Sequence, residues 1–430
     1  MDQTASLPQG PWCFVPMSEY AAPKADGASQ IKQHWKSLSR LFGPAPEDNA
    51  VARAEAELRL LPEVRLANLV PPLDWAEAAQ AFARAHQQVV GRGADLAESG
   101  PAAGSQGSSP VVFLIGQPCC YHAAIAREWA RQQGALELVP PHASQILAGD
   151  QSWLQSLPAP GSQPWVMPAL ERCFLRHANG LELVRHFLER ALCGELGPGV
   201  VACDSWAFAF IQRIWPFADI PTLTLQAFDG QALADCFIKP RSSTDLRWRT
   251  RFLSARNGEP LLPDSGSAPA QDQPSAQSLA ELRSLAAHCR GNPGLAWHYW
   301  RYQLRTEPEP DPAEREDDPD ANGGAQQPAA AQPQDNIVWV AHGIDTPAMP
   351  ADASEDVAFL LHALLLHRGL TMDLLAALLP APRARIASQL LRLQGMELVT
   401  RIGSCWEVAP MAYPIAREFL RNRSYLVDGF

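Results

Sequence analysis

Two patterns of apolar spacing alternate along the chain. Short continuous apolar runs occur at 111–116 (VVFLIG), 136–141 (LELVPP), 199–206 (GVVACDSW) and 222–228 (TLTLQAF). Runs of this length, bounded by turn residues, mark strands buried on both faces of a parallel sheet. Helical spacing fills the intervals, at 123–134 (AAIAREWARQQG) and over much of 165–193, which opens with a strand or helix. Residues 279–305 read as helix, a Gly-Asn-Pro-Gly break, and helix. Upstream there is an amphipathic patch at 31–43. The spacing then predicts a helix over 50–62 stopped by Pro62, a strand over 63–70, and a helix over 73–90 capped by Asp74. Downstream, helices are predicted at 355–369, at 371–379 with Thr371 as cap, and at 383–395. Strands at 396–402 and 405–410 share a tight Gly403-Ser404 turn, and 410–422 closes as a helix. Segments 91–110, 256–277 and 306–335 have loop composition.

These patterns divide the 430 residues into an N-terminal extension (1–110), an α/β body (111–305), an acidic linker (306–335) and a C-terminal domain (336–430). The net charge is −11, but residues 307–320 alone hold eight acids and one Arg. The rest of the chain is near neutral, which argues against a protein coated in nucleic acid. The linker's composition predicts disorder. No apolar run is long enough to span a bilayer, and no secretory signal opens the chain. Nine scattered cysteines without CxxC pairs suit reduced thiols, so the expected location is the cytoplasm.

Candidate chemistry sits at the ends of the apolar runs. A phosphate-binding loop follows a buried strand and reads G-x-x-x-x-G-K-[ST]. Its glycines let backbone N–H groups face phosphate, its Lys reaches the β/γ-phosphates, and its Ser/Thr holds Mg²⁺. Counted from Gly116, through Gln117 and Pro118, Tyr121 stands at the second Gly, His122 at the Lys and Ala123 at the Ser/Thr. The 35 basic residues include only four Lys, at 24, 32, 36 and 239, so no shift of register supplies one. A plain strand and helix of an α/β sheet fits the same local pattern. Asp204 ends GVVACDSW, where an Asp would hold Mg²⁺-bound water, and Ser205 stands where a Glu would polarise the attacking water. Asp204 reads equally as a helix cap.

The segment HCRGNPGLAWHYW (288–300) resembles the helical lid of AAA+ and signal-transduction (STAND) ATPases, and with the strand order and the winged-helix layout that follows, the chain looks like origin-recognition-type members and STAND ATPases. The resemblance covers roughly 111–305 and 354–430. It implies a P-loop NTPase-like parallel sheet with a helical lid, followed by a winged helix. It also implies a lid Arg near the γ-phosphate, for which Arg290 is the candidate. The other reading of Arg290 is a solvated helix-end residue. In the winged helix, Arg383, Arg385, Gln389 and Arg392 lie on the third helix, which would enter a major groove in a DNA-binding version. Residues 354–430 carry eight Arg against seven acids, which favours a protein-contact module over a DNA binder.

Other constellations are weaker. Cys119, Cys120 and His122 lack zinc-ligand spacing, and His362 and His367 lie five apart, off a common helix face. No metal site is expected. Three functions stay open: an inactive ATPase-like scaffold or regulator acting on an unidentified protein partner, an ATP- and Mg²⁺-binding protein with residual hydrolysis, and a DNA-binding regulator. The first is preferred, because the four motif positions lack the residues that perform the chemistry.

Overall fold

The computed structural model describes residues 11–23, 57–98, 111–159, 163–216, 220–238, 248–262, 276–308, 334–344 and 346–430. The expectations for 31–43, 50–56, 99–110, 263–275 and 309–333 lie outside these residues.

The N-terminal extension and the body together form a mixed α/β structure. Its strands are β1 (Phe14–Pro16), β2 (Arg59–Leu60), β3 (Val111–Gly116), β4 (Leu136–Glu137), β5 (Trp165–Met167), β6 (Gly199–Asp204) and β7 (Thr222–Leu225). All but β2 join one six-stranded sheet in the order β1-β7-β3-β6-β5-β4. Only β1 runs antiparallel to its neighbour. Every residue of β3 and β6 is buried, because helices cover both faces of the sheet.

The helices of this part are α1 (Glu63–Leu69), α2 (Trp75–Glu98), α3 (His122–Gln133), α4 (Ala143–Ala148), α5 (Ser152–Gln155), α6 (Glu182–Leu192), α7 (Ser205–Ile214), α8 (Gly230–Ile238), α9 (Ala276–His288) and α10 (Pro293–Gln303). Trp165, Trp206, Phe113 and Phe187 are among the largest fully buried side chains. Gly199 is required beside Trp165, since an added methyl there would lie 2.2 Å from the indole.

A second sheet takes β8 (Trp248–Ser254), β9 (Leu304–Thr306) and β10 (Gln334–Val340) in the order β2-β9-β10-β8. It joins chain from before, within and after the body.

The C-terminal unit holds α11 (Glu355–His367), β11 (Leu370–Thr371), α12 (Met372–Leu378), α13 (Arg383–Gly395), β12 (Val399–Ile402), β13 (Cys405–Val408) and α14 (Tyr413–Asn422). Its sheet has the order β11-β13-β12. Gly403, with φ 60°, turns the β12–β13 hairpin, and Thr371 Oγ1 accepts from Leu374 N as a cap.

Three local expectations are corrected. Residues 63–69 form a helix instead of a strand: Pro62 opens it, and Glu63 in the first turn complements its dipole. Arg59 and Leu60 are a strand instead of helix, because pairing with Thr306 and Arg305 overrides local propensity. Helix α2 runs on to Glu98 through Gly91 and Gly93, each tolerated at about 1 kcal/mol. Gln334–Val340, not foreseen as a strand, pairs along its whole length with β8.

Candidate functional site at the strand ends

Strands β3 and β6 are neighbours in register, with Gly116 opposite Asp204. The structure therefore brings the 116–123 loop and the 204–205 pair together at the carboxyl ends of the two central strands. After Gly116 the loop tightens, with Cys120 N donating to Gln117 O at 3.0 Å. Cys119 (φ 69°) and Tyr121 (φ 52°) both adopt the left-handed region, which favours glycine. Tyr121 stacks on Trp75 with ring centroids 4.9 Å apart. His122 folds back over Gly116, where an added methyl would lie 2.7 Å from His122 Cβ and Nδ1.

The segment between α9 and α10 closes over this loop. Asn292 caps α10 by accepting from Leu295 N, and its Nδ2 donates to Pro118 O at 2.6 Å. Gly294 is indispensable there, because a methyl would fall 1.8 Å from Cys119 O. Gln117 Nε2 donates to Tyr20 Oη at 3.0 Å, and that hydroxyl donates to Arg290 O at 3.0 Å. Gly116, Pro118, Tyr121, His122 and Ala123 thus sit together, with the Arg290 backbone tied to them through Tyr20.

Beneath the loop lies a buried charge cluster. His122 and Glu171 are only 1% and 2% exposed, with Nε2 3.3 Å from Oε1. Glu171 Oε2 accepts from Asp204 N at 3.1 Å. Asp204 Oδ1 accepts from Trp206 N at 2.9 Å, which makes the aspartate the cap of α7. Its Oδ2 is buried without a hydrogen-bond partner. Burial, with Glu171 adding, pushes the Asp204 carboxyl well above its ordinary value, and Arg368 offsets this only in part. Burial acts on Glu171 in the same direction, but His122 and Arg368 outweigh it and hold that carboxyl low. Arg368 ends α11 in the left-handed region (φ 47°). Burial opposes its charge, and Asp204 and Glu171 outweigh burial to hold it above its ordinary value.

Ser205 is engaged from the far end of the chain. Its Oγ donates to Asp428 Oδ2 at 2.7 Å. Tyr413 Oη donates to the same oxygen at 3.1 Å, and Arg417 Nε donates to Oδ1 at 2.8 Å. Arg417 also reaches the carbonyls of Asp428 and Phe430, and the Phe430 ring meets Tyr20 edge-on at 4.8 Å.

The candidate nucleic-acid residues show a different arrangement. Arg383 pairs with Asp373, Arg385 with Asp356 at 2.6 Å, and Arg392 with Asp352. Gln389 Oε1 is buried without a partner. On the same unit Leu391 is 64% exposed and Ile402 60%.

His362 and His367 meet a common residue despite their spacing: Arg176 donates its backbone N to His367 Nε2 and places Nη1 3.3 Å from His362 Nδ1. Burial lowers both histidines to about 4. Burial raises Cys119 to about 12 and Cys203 well above its ordinary value, so neither carries a thiolate at neutral pH. Among the described residues no group of three His, Cys, Asp or Glu is placed to hold a metal ion. No described helix is long and apolar enough to cross a membrane.

Sequence reasoning missed Glu171, Arg368, Tyr413, Arg417 and Asp428 as members of this cluster. One signal was present: Glu171 is a single acid inside the apolar stretch WVMPALERCFL. Comparison with protein-family models and with curated proteins returns no match.

Proposed function

We propose that the chain is a non-hydrolysing relative of P-loop ATPases, of the AAA+/STAND kind, that acts as a scaffold or regulator through protein contacts. The reading is supported by where the motif positions fall. They occupy the carboxyl ends of adjacent parallel strands, the place where open α/β sheets hold ligands. The observation that carries it is how that place is filled. His122 takes up the space over Gly116, Glu171 accepts from Asp204 N, and Asp428 accepts from Ser205 Oγ. A phosphoryl-transfer site needs donors and a metal aimed at the phosphates. Here His122 Nε2 and Asp204 N are engaged by Glu171, and Ser205 by Asp428, while Asp204 Oδ2 is buried without a donor.

The C-terminal unit, with its helices, hairpin and third helix α13, is read as a winged helix. The arginines that would meet phosphates are paired with aspartates, and Leu391 and Ile402 are exposed beside them. That balance favours a protein partner over DNA. Equilibrium titration with a fluorescent ATP analogue tests the reading. Binding should not depend on Mg²⁺ or on Asp204, and Mg²⁺-dependent binding abolished by Asp204→Asn would refute it.

A further inference from the structure

A cavity of about 290 Å³ lies between the α9–α10 segment and α14, lined by His288, Arg290, Thr346, Arg417, Glu418 and Arg421 among others. Neither the 116–123 loop nor Asp204 lines it. Its size is close to the lower end of small-molecule sites, which span roughly 300–1,000 Å³.

Its chemistry is cationic. Arg417 and Arg421 lie four residues apart on α14, so their side chains share one face of the helix. Arg290 approaches from the opposite wall, on a residue held in the left-handed region (φ 54°). Its Nε is buried without a hydrogen-bond partner, as is His288 Nε2. Burial and the nearby Arg417 guanidinium hold Arg290 below its ordinary value, with Asp428 offsetting only part of this. Three guanidinium groups thus line an open volume, that of Arg417 already paired with Asp428, and Glu418 is the one acid among the described residues that line it. Guanidinium forks around a cavity form a receptor for a phosphate group, which offers several acceptor oxygens and more than one negative charge.

We propose that this cavity binds a small phosphate-bearing anion, bridging the α9–α10 segment and α14 without a metal ion. The inference is independent of the proposed function, because it uses neither Mg²⁺ nor the strand-end cluster.

Thermal unfolding and calorimetry of the full chain at constant ionic strength, without Mg²⁺, test it with inorganic pyrophosphate as probe. A saturable rise in Tm and a 1:1 isotherm are expected. Affinity should fall about tenfold or more in Arg421→Gln and in Arg290→Gln, and stay unchanged in Arg131→Gln, which alters an exposed arginine of α3. Arg421 is exposed, so its variant tests the idea even if Arg290→Gln folds poorly. A parallel titration with ADP identifies the source: tighter binding than pyrophosphate, with the same dependence on Arg421, assigns the phosphate to a nucleotide, and equal or weaker binding assigns it to a free phosphate compound. Absence of saturable pyrophosphate binding, or binding unaffected by Arg421→Gln, overturns the proposal.

Discussion

Two strand-to-helix junctions lie side by side in the central sheet and are built in opposite ways. At the end of β6 the chain passes straight into α7, and Asp204 caps the helix with its own side chain. At the end of β3, opposite in register, five residues intervene before α3, and Tyr121 begins that helix with no side-chain cap. The first junction has a local cap, to which Glu171 on Asp204 N and Asp428 on Ser205 are added from a distance. The second is completed by distant groups: Asn292 and Gly294 on Pro118 and Cys119, Trp75 on Tyr121, Glu171 on His122. The short junction therefore carries its own helix cap, whereas the longer one has none and is held by distant groups.

The largest effect should come from the group joining the two junctions. Glu171 contacts His122 of one and the backbone N of Asp204 in the other, both buried. Breaking a buried pair from one side costs about 3–5 kcal/mol, so Glu171→Ala should lower stability by that order in urea unfolding at pH 7. The Glu171 carboxyl is held low in the folded state. Its stabilisation is therefore present above its ordinary value near ~4.3 and is lost as pH falls through the lower folded value. The gap between wild type and variant should narrow in acid. A gap that stays constant down to acid unfolding would contradict the ionic account.

Next comes the link from the Asp204–Ser205 junction to the C-terminal unit. Asp428 accepts from Ser205, Tyr413 and Arg417 and is buried. Asp428→Ala should cost about 3 kcal/mol by leaving Arg417 uncompensated, and Ser205→Ala about 1 kcal/mol. In a double-mutant cycle the two should couple, and simple additivity would mean the Ser205 contact contributes nothing.

The readable parts of this molecule are those whose partners are close in sequence. The Asp74, Asp204 and Thr371 caps bond N–H groups two or three residues on, and the Gly403-Ser404 hairpin is local. The buried runs VVFLIG and GVVACD declare a parallel sheet by composition alone. Strand β10 was illegible because its partners come from residues 248–254 and 304–306. So was the charge cluster: Glu171 bonds a group 33 residues away and Asp428 one 223 residues away. No local pattern encodes such pairs.

A smaller effect, of opposite sign, is expected at Asp204. Its carboxyl is pushed well above the ordinary range. Whatever stability that carboxyl contributes is present at low pH and lost as pH rises through its folded value. Asparagine keeps the Oδ1 acceptor for Trp206 N and cannot ionise. Asp204→Asn should match wild type in acid and gain on it steadily as pH rises. A variant that loses ground as pH rises would mean that the charged aspartate is favoured through Arg368.

The smallest effect concerns the C-terminal face. Arg383, Arg385 and Arg392 are exposed and paired with aspartates. Reversing all three charges should leave Tm nearly unchanged, and wild type should show only weak, salt-sensitive affinity for duplex DNA. Tight, sequence-dependent binding lost in the triple variant would make this face a DNA reader.

The central claim is that the two junctions together make a closed site and not a phosphoryl-transfer site. Steady-state Mg²⁺-ATP turnover by the purified full chain, beside Asp204→Asn, tests it most directly. The account predicts phosphate release at the buffer rate for both proteins. Turnover near ~1 s⁻¹, within the range of working phosphoryl-transfer enzymes, and abolished by Asp204→Asn would contradict it.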